Sequence, residues 1–81
     1  MPTYYFHLRN GSDTLLDHEG RKLLGIESAM AIALLEARSI IGADALDGKI
    51  ALGQRIDVED GLGAIVHTLQ FEDAVHITRG A

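Results

Sequence analysis

One long segment, Ile26 to about Leu46, is built from Ala, Leu, Ile, Met and Glu, while the residues before and after it alternate apolar with polar. A chain with one helix-forming block between two blocks of strand period can bury its apolar faces in few ways. The simplest is a helix laid across an antiparallel sheet. In the first block Tyr4, Phe6 and Leu8 fall on one face and Tyr5, His7 and Arg9 on the other, as in a half-buried strand. Asn10-Gly11 supplies residues tolerant of positive φ, and Thr14 to Asp17 can return as a second strand, with Asp13 leaving the loop at two or four residues.

For the helix, Gly25 is a plausible N-cap and Glu27 complements the dipole. At 100° per residue Ile26, Met30, Ala33, Ala37, Ile40 and Ile41 form one stripe, with Glu27 and Arg38 on a polar edge. Gly42 or Asp47-Gly48 can end it. A second strip, Ile32, Leu35, Ala43 and Leu46, exceeds what one sheet covers, so either the 47 to 54 segment folds over it or a second copy does.

After the helix, Arg55 to Glu59 alternates, Asp60-Gly61-Leu62-Gly63 reads as a turn, and Ala64 to Phe71 returns with Ile65, His67, Leu69 and Phe71 on one face. Ala74 to Thr78 can lengthen that strand or add an edge piece through Val75 and Ile77. The reading is a single domain over residues 1–81, α+β in class: a two-layer ββαββ arrangement, an antiparallel sheet with one long helix on one face.

Composition narrows function mostly by exclusion. Twelve acidic against seven basic residues give a net charge of −5, and the basic ones are scattered, which argues against a phosphate backbone as partner. The aromatic run Tyr4-Tyr5-Phe6 resembles an RNA-stacking platform but lacks clustered arginines. The apolar run Ala29 to Leu35 is too short to span a bilayer, and no basic-then-apolar leader opens the chain, so a soluble cytoplasmic protein is expected. Without cysteine there is no disulfide, thiolate nucleophile or thiolate zinc site. Asn10-Gly11-Ser12 matches a glycosylation acceptor but reads as a turn.

Four histidines, His7, His18, His67 and His76, have no metal-ligand spacing, so no metal is assigned. Asp17, Glu19, Asp57, Glu59, Asp60, Glu72 and Asp73 offer carboxylate pairs for acid-base chemistry, yet a sheet filled by one helix predicts no cleft to hold them, and aspartates at hairpin ends commonly bind turn amides. Ser12, Ser28 and Ser39 lack an activating partner pattern, and Gly61-Leu62-Gly63 precedes a strand, unlike a dinucleotide loop. No catalytic residue and no cofactor is assigned.

The runs Tyr5-Phe6-His7-Leu8-Arg9-Asn10-Gly11 and Asp17-His18-Glu19-Gly20, the alanine-rich helix and a hairpin ending near Phe71-Glu72-Asp73-Ala74 together resemble a family of short, mostly alphaproteobacterial proteins known only as a domain of unknown function. The resemblance spans nearly the whole chain and implies no activity, cofactor or partner. The helix is more aliphatic, at Met30, Ile32, Leu34 and Leu35, than the charged version of that family, which favours a buried or dimeric helix. The expected function is a non-enzymatic, homodimeric interaction module whose surface draws on Ile32, Leu35, Ala43, Leu46, Tyr5, His7 and Arg9, with a small-ligand or metal-responsive binder or rudimentary hydrolase as the alternative.

Overall fold

The computed structural model describes residues 1–80. Its elements run β1 (Thr3–Asn10), β2 (Asp13–Leu15), β3 (Arg21–Lys22), α1 (Ile26–Leu46), β4 (Gln54–Glu59), β5 (Ile65–Gln70) and a 3-10 turn (Phe71–Asp73). The sheet is antiparallel in the order β2-β1-β4-β5, and β3 joins the same edge of β1 as β2. This is the expected α+β sheet with one long helix, plus a two-residue strand too short to leave a periodic signature.

Register settles the first turn. Asn10 pairs with Asp13, so the loop is the two residues Gly11-Ser12. Gly11 takes φ 62 at the first central position, the pattern of a type II′ hairpin turn.

α1 continues through Gly42 and stops at Asp47-Gly48. There the N–H of Gly48 (φ 81) bonds to the carbonyl of Ala45 and that of Lys49 to the carbonyl of Asp44, each at 3.0 Å, satisfying two of the carbonyls the helix end leaves free. Ala29, Ala33, Ala37 and Ile41 turn inward at a spacing of four. Because three of these are alanines, the large side chains of the core come from the other layer: Ile56 and Val58 of β4 and Phe71.

The stripe read from the helix wheel has the right direction but is too long. Ile26 and Met30 stay 38% and 43% exposed, although Ala29 between them is fully buried. α1 lies over β4 and β5, towards one side of the sheet. The 47 to 54 segment does not cover the second strip: Leu52 packs on the core, Ile50 is exposed, and Leu35 and Leu46 remain 63% and 90% exposed.

Two expectations at the chain's end are corrected. β5 carries a bulge opposite Val58 and Glu59, so Ile65 pairs with Glu59 and leaves the phase of His67 and Leu69. Residues 74–78 form no strand. Instead Arg38 Nε donates to the carbonyl of Ala74 at 2.8 Å, and Ala74 and Val75 close the core beside Phe71.

Candidate functional site

The period of two sorts each strand by face. Opposed pairs Phe6 and Val58, Leu8 and Ile56, and Ile56 and Leu69 line the helix side. The opposed pairs Tyr5 and Glu59, His7 and Asp57, Arg9 and Arg55, Asp57 and Thr68 therefore share the side away from the helix. Two of its polar groups are withdrawn from water, His7 at 5% and Asp57 at 6% exposed, and must find partners within the protein.

Arg9 Nε donates to Asp57 Oδ2, Arg9 Nη1 to Thr14 Oγ1 at 3.3 Å, and Thr68 Oγ1 to Asp57 Oδ1 at 2.8 Å. Of these bonds, Arg9 to Asp57 runs diagonally, while Arg9 to Thr14 and Thr68 to Asp57 run directly across. Arg55 Nε lies 3.4 Å from Asp57 Oδ1. Arg9 and Arg55 are directly opposed, an unfavourable placement for like charges that the carboxylate between them offsets. Burial works to raise the Asp57 pKa, but the hydrogen bonds from Thr68 and Arg9 and the charges of Arg55 and Arg9 prevail and hold it below the ordinary carboxylate value.

At the other end of this side, Asp17 fills the gap between β2 and β3. Its Oδ2 accepts from the Phe6 amide at 3.1 Å, and its Oδ1 accepts from the amides of Glu19 and Gly20 at 3.1 and 3.0 Å. Burial again acts to raise its pKa, while the amides of Gly20, Phe6 and Glu19 and the nearby His7 outweigh it and lower the value. The Asp17 amide donates to His7 Nδ1 at 3.1 Å. That bond leaves the imidazole proton on Nε2, which donates to Glu59 Oε1 at 3.2 Å. Tyr5 lies parallel to the His7 ring with centroids 6.5 Å apart.

His7 is thus not the surface residue expected from the sequence. It is 5% exposed, closed over by the Asp17 segment. Tyr5 and Arg9 are half-buried, and Ile32 packs partly against the core. Leu35, Ala43 and Leu46 are exposed on the helix, across the molecule from Tyr5, His7 and Arg9, so the candidate surface resolves into two separate faces. The aspartates at turns behave as expected at Asp17 and at Asp60, whose Oδ1 accepts from the amides of Leu62 and Ala64. Asp57 and Glu59 instead bond to side chains across the sheet, partners that only the strand register reveals.

Among the described residues no buried side-chain nitrogen or oxygen lacks a partner, and no three His, Asp or Glu side chains converge as metal ligands. The interior is filled, but two surface hollows exist where none was expected. One of about 210 Å³ is lined by Leu8, Asn10, Asp13, Thr14, Leu15 and Gln54, and one of about 420 Å³ borders Leu24 to Ser28 at the start of α1. The first touches the Asp57 network only through Thr14, and the second contains no member of either cluster. No helix among the described residues is long and apolar enough to cross a membrane.

The two depressed carboxyls set a pH dependence. A group whose folded pKa lies below its unfolded value contributes stability above the unfolded pKa, about 3.9 for Asp, and loses it as pH falls through the folded value. The urea midpoint should hold steady from neutrality to about pH 5 and drop below about pH 4. Asp57→Asn should shallow that acid limb; equal slopes in variant and parent would contradict this account.

Neither a curated protein nor a solved structure matches the chain. A family profile does, over residues 3–72, from the first residue of β1 into the 3-10 turn that buries Phe71. It takes in both the His7–Asp17 cluster and the Asp57 cluster, and the chain belongs to the family described as a domain of unknown function, DUF6894.

Proposed function

We propose that this protein is a non-enzymatic interaction module that associates with itself as a homodimer in the bacterial cytoplasm. The observation that carries the reading is a surplus of surface. A folded monomer of 8.7 kDa is expected to expose about 4,700 Å², whereas this chain exposes 5619 Å². The excess of about 900 Å² is close to the roughly 800 Å² that each partner buries in a stable interface.

Part of that surplus is apolar and lies on the outer side of α1. Leu35 and Leu46 stand eleven positions apart, about three helical turns, and project from the same side with nothing from their own chain over them. The satisfied hydrogen bonds of the His7 and Asp57 clusters support an architectural role for the polar residues, and the cysteine-free sequence suits a reducing compartment.

Mass in solution across a dilution series tests the proposal. The expected result is a dimer at high concentration that Leu35→Glu converts to a folded monomer. A chain that is monomeric at every concentration removes self-association, and a dimer indifferent to Leu35→Glu removes this side of the helix from the interface.

A further inference from the structure

Resting on that reading, we infer that the second copy adds across the β5 edge, joining two sheets into one continuous antiparallel sheet with the two α1 helices side by side. The two outer edges of the sheet differ. On β1, β2 and β3 occupy either end, and Asp17 takes the Phe6 amide between them. The β5 edge has no such cover: Ile65 to Gln70 is the last strand in the order, and its outward amides and carbonyls face no strand.

That edge is also uncharged. From Gly61 to Phe71 there is no Asp, Glu, Lys or Arg, in a chain carrying −5, so two identical copies can approach here without like charges meeting. Ile65 and Val66 are half exposed along it. Edge strands that avoid pairing usually carry lysine or proline, and β5 carries neither; its bulge lies only at the Ile65 end.

The position of the helix favours this partner. α1 over β4 and β5 is displaced towards one side of the monomer, but about a two-fold axis beside β5 it is central. Strands spaced by about 4.8 Å then set the two helices roughly 10 Å apart, the distance at which helices pack. Ala31 and Gly42, in one row with the Arg38 that bonds to Ala74, are the small exposed residues on the flank nearer the seam, while Leu35 points away from the sheet. A Cβ at Gly42 would meet nothing within 4 Å, so there is room for close approach. The β5 edge and this flank of α1 become one interface.

Val66→Lys places a charge on each side of the axis, and should weaken dimerisation by more than about 100-fold while leaving the monomer's circular dichroism unchanged. In the parent protein, the outward β5 amides should gain about 15-fold protection from hydrogen exchange at a total chain concentration about 100 times the dimer Kd, where about 7% of chains stay monomeric, with no such gain in β2. A dimer that survives Val66→Lys, or forms without protecting β5, overturns the edge assignment alone. A chain monomeric at all concentrations overturns self-association as a whole, and this inference with it.

Discussion

Replacing Phe71 with alanine is expected to lower the stability of the fold by about 3–5 kcal/mol. Phe71 has no exposed surface and is one of three large side chains fully enclosed by the fold. Truncating such a phenylalanine costs about 3–5 kcal/mol, because transfer from water is lost and a cavity is left behind. Stability for a chain of this length is on the order of 4–12 kcal/mol, so one substitution removes a large fraction of it. The alanines of α1 explain why nothing compensates: Ala33 and Ala37 have no length with which to fill the space. Urea denaturation followed by circular dichroism measures the effect. A loss below about 1 kcal/mol would show that the 3-10 turn is peripheral.

Gly20→Ala should be nearly as severe for a different reason. Gly20 has φ 70, and a Cβ there would stand 2.8 Å from both Thr3 Cγ2 and Tyr5 Cε2. Left-handed backbone costs a non-glycine residue about 1–2 kcal/mol. Displacing Tyr5 disturbs the ring lying against His7 and the turn in which Asp17 accepts the Gly20 amide. A total near 3 kcal/mol is expected. Gly63 separates the two causes, since it has φ 86 but an added Cβ meets nothing within 4 Å. Gly63→Ala should cost only the backbone part, about 1–2 kcal/mol, and equal losses at both sites would refute the packing argument.

The same glycine shows where sequence reading reaches its limit. Asp17-His18-Glu19-Gly20 is visible as a turn from composition, but its role depends on Tyr5 and His7, which register and chain reversal bring beneath it. The helix was legible because its period is local: its direction and the stop at Gly48 follow from spacing and turn chemistry. Its overlong stripe was not, since Ile26 and Met30 are apolar and correctly phased yet stay exposed while Ala29 is buried, a difference set by nonlocal packing around the helix start. Alternation placed Arg55, Asp57 and Glu59 on one side of a strand. It could not reveal that Asp57 lies between two arginines and a threonine, because that follows from three strands meeting in register. His7 is the clearest case, a polar residue on the side without a helix that is buried by a nonlocal loop.

The unequal edges of the sheet also bear on how far assembly can proceed. A strand-shaped building block with two open sides adds copies without end, and its product is a fibre. Here β1 ends its outward pairing in one strand of three residues and another of two, with a carboxylate consuming the amide between them. Such a side has too few free groups in line to template a further sheet. A molecule with one joinable side behaves as its own chain terminator: in the dimer proposed above, the product would present only blocked margins, and growth would stop at two.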